Sequence, residues 1–131
     1  MNEIKEIDII GIAALLIHAA KIDEIYTEKE KNIIINLIKL LSNGKIVGTD
    51  LLIKAEKLEK NSNQLLNFTN VIKKYSDETK SIIVKNLWKI IISDKKVDQY
   101  ESNLMRRICG LIYFSDKLSG EIKLKILKEV I

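Results

Sequence analysis

The sequence predicts an all-α fold, and three observations carry that prediction. Apolar residues recur at helical spacing in seven segments. No stretch alternates cleanly enough to be a strand. The 131 residues include no proline and only five glycines, so nothing rich in helix breakers divides the chain. It reads as a compact bundle of about seven helices joined by short turns, one domain spanning residues 1–131. At this length folding buries about two-thirds of the surface that the unfolded chain exposes.

Each element has a local reason. The first helix, about 3–22, is apolar almost all round in IDIIGIAALLIHAA, as a central helix is. The second, about 28–42, follows Thr27 and ends against Asn43-Gly44, where Gly44 suits a C-terminal cap. The third, about 50–60, follows Thr49, and the fourth, about 63–75, follows Ser62. The fifth, about 77–93, follows Ser76 and is expected to share the buried centre with the first, placing Trp88 inside. The sixth, about 99–113, follows Asp98, and the seventh, about 116–130, follows Ser115. A Ser, Thr or Asp at the N-cap accepts a hydrogen bond from an amide of the first turn that has no partner within the helix. Phe68, Tyr100 and Tyr113 fall at helical spacings and are expected in the core with Trp88.

The net charge of +4 comes from 22 basic residues against 18 acidic ones, interleaved along the chain. Only Arg106 and Arg107 are arginines; a solvated or ion-paired helix face is the default reading of the pair, and together with the lysines it is what a weak nucleic-acid or anionic-surface binder would use. The lysines otherwise read as a solvated surface. A single cysteine, Cys109, excludes an intramolecular disulfide and a cysteine metal cluster, and within an apolar helix it is expected to be an inert buried thiol. The longest apolar run, residues 9–17, is too short to span a bilayer. Glu3, Glu6 and Asp8 against Lys5 give the wrong sign for a secretory leader, so the expected location is the cytoplasm.

One pattern is written twice. Asp23 and Glu30 recur 71 residues later as Asp94 and Glu101. TEKE at 27–30 and DQYE at 98–101 both fit the capping box, an N-cap oxygen with Glu at the third helical position. Asp23 and Asp94 stand instead at helix C-terminal ends, where a carboxylate meets the negative end of the dipole. Turn amides, a nearby cation or a bound metal ion must compensate. The metal-ligand candidates are Asp23, Glu30, Asp94, Asp98 and Glu101, and an all-oxygen set suits Ca²⁺ or Mg²⁺. The same offset aligns Ile12 with Ile83, Leu16 with Leu87, Asn32 with Asn103 and Leu40 with Leu111. This gives two helix–turn–helix halves, about 12–42 and 83–113, linked by the third and fourth helices.

Phe68-Thr69, Leu87-Trp88, Asp94, Val97, Asp98, Tyr100-Glu101 and Arg106-Arg107, in that order, resemble the TerB-like (tellurite resistance protein B-like) family, in particular its short stand-alone bacterial members. The likeness covers nearly the whole chain. It implies a helical bundle, association with stress-response or membrane-associated complexes, and a divalent-metal role for the acidic turn residues, without a defined enzymatic activity. Where the family carries Gly after each turn aspartate, this chain carries Glu24 and Lys95. If the turn is left-handed there, each costs about 1 kcal/mol. There is no glycine-rich phosphate loop, no paired metal-ligand histidines and no nucleophile motif. His18, alone on the most apolar helix, reads as a core or boundary residue. The expectation is a non-catalytic module that presents a helical surface to a protein partner.

Overall fold

Helix α1, Glu6–Ala20, has no polar side to offer water: only Glu6, Ile7, Ile10 and His18 are not buried. A helix apolar on every side must be enclosed by other elements, and four of the other helices pack around it. The computed structural model describes residues 4–23, 26–62, 64–93 and 99–130, with the backbone alone at Asp23, Gln99, Tyr100 and Val130. After α1 come a 3₁₀ turn at Lys21–Asp23 and then six helices: α2 Glu28–Leu41, α3 Gly48–Lys60, α4 Leu66–Thr69, α5 Asp77–Ile92, α6 Gln99–Leu111 and α7 Asp116–Val130. Helix α1 packs on α2, α3, α4 and α5, while α7 lies against α5 and more lightly on α6. The described residues contain no strand. The seven-helix fold and the central place of α1 and α5 match the sequence prediction, and Trp88 is 4% exposed.

Three N-caps act as the sequence predicts. Thr27 accepts from the Glu30 amide at 3.1 Å, Ser76 from that of Thr79 at 3.3 Å, and Ser115 from that of Leu118 at 3.3 Å. Three local expectations are corrected. Helix α3 begins at Gly48 rather than after Thr49, and its N-cap, Val47, offers no side-chain cap. The expected helix over 63–75 is only the four residues of α4. Beyond Asn70 the chain turns through shorter bonds, Ile72 N to Thr69 O and Tyr75 N to Ile72 O, each 3.0 Å. Asn67 and Asn70 compete with helical bonding and Thr69, Val71 and Ile72 are β-branched, a composition that holds a helix poorly. Tyr113, expected in the core, is 73% exposed at a φ of 59° just past α6.

Tyr113 is there because α2 and α6 end alike. After α2, the Gly44 amide reaches Lys39 O at 2.8 Å and the Asn43 amide reaches Leu40 O at 3.2 Å. After α6, Phe114 N reaches Cys109 O at 2.9 Å and Tyr113 N reaches Gly110 O at 3.4 Å. Both are Schellman closures. Asn43 and Tyr113 take the first left-handed position, and Gly44 follows Asn43 instead of occupying that position itself.

Burial repeats with the same 71-residue offset. Glu30, Ile34, Leu37, Ile38 and Leu41 are buried, and so are Glu101, Met105, Ile108, Cys109 and Ile112. The register runs on into α3 and α7: Gly48 and Ala55 are buried, and so are Ser119 and Ile126. The shared register therefore spans three helices, α1–α2–α3 and α5–α6–α7, with α4 between; α1, α2 and α3 all pack on one another, while in the second set the contacts run through α7.

A polar latch closes the first unit. Asp8, 4% exposed in the first turn of α1, accepts from the Tyr75 hydroxyl and lies 3.0 Å from Lys74 Nζ. Burial opposes its charge, but the Tyr75 hydrogen bond and the Lys74 ammonium outweigh burial and hold the carboxyl below its ordinary 3.8. Burial, then the Asp8 carboxylate, pushes the Tyr75 phenol up to about 12. Because folding lowers the Asp8 pKa, its contribution is whole above the unfolded value and is lost as pH falls through the folded one. Asp8→Ala should cost about 1–3 kcal/mol at neutral pH, and denaturant melts between pH 6 and 2 should show this difference shrinking at the acid end.

Close helix contact gives a second prediction. A Cβ at Gly48 would meet Ile35 Cγ2 at 2.8 Å, whereas one at Gly120 in α7 would meet nothing within 4 Å. Gly48→Ala should destabilise by about 1–2 kcal/mol through overpacking. Gly120→Ala should stabilise by up to about 1 kcal/mol through helix propensity. Equilibrium unfolding of the two variants checks the opposite signs.

Candidate functional site

The duplicated turn divides into described and undescribed parts. In the first copy α1 runs into the 3₁₀ turn that ends with Asp23, whose side chain lies outside the described residues. Thr27 and Glu30 then form the capping box: the Thr27 amide donates to Glu30 Oε1 at 2.7 Å while the Glu30 amide donates to Thr27 Oγ1. The box holds Glu30 at 5% exposure. In the second copy Asp94 and Asp98 lie outside the described residues, and Glu101 is 6% exposed in the first turn of α6. Among the described residues no three His, Cys, Asp or Glu side chains come together as a metal site. The described part of the donor set is thus two buried glutamates, one of them turned back on its own helix start, and it does not by itself form a cation cage.

Next to the first turn, Tyr26 has a buried hydroxyl with no hydrogen-bond partner among the described residues, and Lys31 Nζ sits 5.0 Å from its ring centroid. Burial, then the nearby Glu56, Glu30 and Glu28 carboxylates, pushes this phenol strongly up. His18 is a boundary residue: its side chain is 39% exposed, its Nδ1 lies 3.4 Å from Glu59, and its ring packs obliquely near Phe68. Lys21 Nζ reaches the other Glu59 oxygen at 2.9 Å, so the end of α3 is pinned to the end of α1. Cys109 is fully buried. Burial pushes its thiol up, Asp116 adds to this, and the Ser119 hydroxyl partly offsets it.

The two arginines line different clefts. Arg107 lines a cleft of about 350 Å³ between α1, α4 and α6, with His18, Ile22, Leu65, Leu66, Leu104 and Leu111. Arg106, one helical step away, lines a different cleft between α6 and α7 with Trp88 and Lys123. Neighbours on a helix point about 100° apart, so consecutive residues face different partners. The first cleft keeps Leu66 45% exposed beside the buried Leu65, a small apolar floor edged by a cation.

These features define a helical module whose surface carries clefts between packed helices, with no strand among the described residues and no helix among them long and apolar enough to cross a membrane. The chain belongs to the TerB family: the family model described as tellurite resistance protein TerB matches residues 10–124. No curated protein and no solved structure matches the chain.

The capping role of Glu30 is testable. Glu30→Gln keeps an acceptor for the Thr27 amide and should change stability by less than about 0.5 kcal/mol, while Glu30→Ala should cost about 1 kcal/mol. Thermal melts of both variants, repeated in millimolar Ca²⁺ or Mg²⁺, check this: an ion response in the wild type that Glu30→Gln abolishes would make Glu30 a ligand.

Proposed function

We propose that the protein is a non-catalytic TerB-type binding module of the cytoplasm, acting in a stress response by presenting a helical surface to a protein partner. The observation that supports this reading is the cleft between α1, α4 and α6, where Leu65, Leu66, Leu104 and Leu111 lie among the polar groups of His18, Gln64 and Arg107. Arg107 has no ion-pair partner among the described residues. An apolar patch rimmed by a charge suits the anchor side chains of a partner helix or loop. Divalent-cation binding belongs to the proposal only through the acidic turns: Ca²⁺ or Mg²⁺ at Asp23 and Asp94 would tie the helix-to-helix connections and raise the melting temperature of the wild type but not of Asp94→Asn.

Affinity capture from the native cell, comparing wild type with Leu66→Glu, tests the partner surface. Leu66 is exposed, so the variant should fold, and the proteins specifically retained by the wild type should be lost from it. Identical retained sets would overturn the assignment of this cleft. The rival reading, an anionic-polymer binder, predicts gel retardation that falls steeply with salt and weakens in both Arg106→Gln and Arg107→Gln.

A further inference from the structure

The two three-helix units differ where their third helix meets the second, which is a closer fit in the first unit. In the first unit Ile17, Ile34 and Leu52 are buried and Ile35 is partly buried, and Gly48 brings α3 so close to α2 that a Cβ would overlap Ile35. Seventy-one residues on, the same places hold Trp88, Met105, Lys123, Arg106 and Ser119. The seam that is apolar in one unit carries Arg106, Lys123 and Ser119 beside the buried Trp88 and Met105 in the other, where it opens as a cleft of about 250 Å³. Ser102, Asp116 and Gly120 complete its lining.

The cleft is built around an ordered base. Trp88 donates from Nε1 to Ser119 Oγ at 3.0 Å, a buried bond that fixes the indole and the start of α7 together. Lys123 Nζ lies over the indole ring, 5.1 Å from its centroid. Arg106 stands on the opposite helix with no ion-pair partner among the described residues. Two cations and the Ser102 hydroxyl therefore border one small concavity, with Asp116 as its single carboxylate. A guanidinium and an ammonium acting together favour a doubly charged oxyanion. A carboxylate on the same wall repels a bare anion but accepts from a neutral hydroxyl.

We propose that this cleft binds a small phosphomonoester that also carries a hydroxyl group, its phosphate between Arg106 and Lys123 and its hydroxyl on Asp116. The site is separate from the α1–α4–α6 surface, so it stands or falls independently of the partner reading. Trp88 is the sole tryptophan and lines the cleft, so it reports occupancy directly. The full chain would be titrated with glycerol 3-phosphate and with inorganic phosphate at constant ionic strength, following Trp88 emission and the NMR signal of its indole N–H. Expected are a saturable change with both probes, tighter binding of glycerol 3-phosphate, and about tenfold weaker binding in Arg106→Gln and in Lys123→Gln. Arg107→Gln, facing the other cleft, should bind as the wild type does. Asp116→Asn should bind inorganic phosphate more tightly while losing the preference for glycerol 3-phosphate. No saturable change with either probe would overturn the site. So would an equal loss in Arg107→Gln and Arg106→Gln, which would mark a diffuse charge effect. Equal affinity for the two probes in the wild type would overturn the role given to Asp116.

Discussion

The enclosure of α1 is the constraint on which the rest of the structure depends. Fifteen residues with almost no solvent-facing side leave hydrophobic burial as the dominant driving force, and that force is satisfied only when helices lie on every side. Gly11, Ala13 and Ala14 let neighbours approach the axis closely, and a Cβ at Gly11 would already touch Val71 at 3.3 Å. The polar contacts sit at the margins of this enclosure. Asp8 with Tyr75 and Lys74 closes one end of the helix, and Glu59 with Lys21 and His18 closes the other. They set the ends in register, while burial supplies the bulk of the stability.

Much of the fold was legible because its signals are local. An N-cap side chain beside a run of periodic apolar residues marks Thr27, Ser76 and Ser115 without any knowledge of the neighbours. The failures are long-range effects. Helix α3 starts at Gly48 because that glycine must fit against Ile35, a contact the spacing of Thr49 and Asp50 cannot reveal. Residues 63–75 have helical periodicity at Leu65, Phe68, Thr69 and Ile72, yet those buried positions serve a turning segment pressed on α1. Asp8 resembles an ordinary acid of a first turn, and its partner lies 67 residues away. Tyr113 fell at a helical spacing, but the Schellman closure takes it out of the helix and into solvent. The candidate site was less legible than the fold. The repeated capping residues were readable as a motif, whereas the splitting of Arg106 from Arg107 depends on which helices flank α6.

The 71-residue register is shared by helices that build two different surfaces. Equivalent helices keep their buried register, so both units retain a shared frame. Small residues at Gly11, Ala14 and Gly48 become Ile82, Lys85 and Ser119, and α7 packs more lightly on α5 and α6 than α3 does on α1 and α2. Lighter packing of the third helix is a physical route by which a helical arrangement can trade core for cleft.

The order in which α1 acquires its cover has a kinetic consequence. The run Ile9–Ile17 combines high hydrophobicity, no charge and no proline, the composition of a segment that self-associates when left bare in an unfolded chain. Its first two covering helices, α2 and α3, follow immediately and end at Lys60, so short loops suffice to bring them together. During synthesis the hazardous segment can be partly sheltered by its own nearest neighbours before α5 has left the ribosome, and α4, α5 and the distant Asp8–Tyr75 contact then complete its cover.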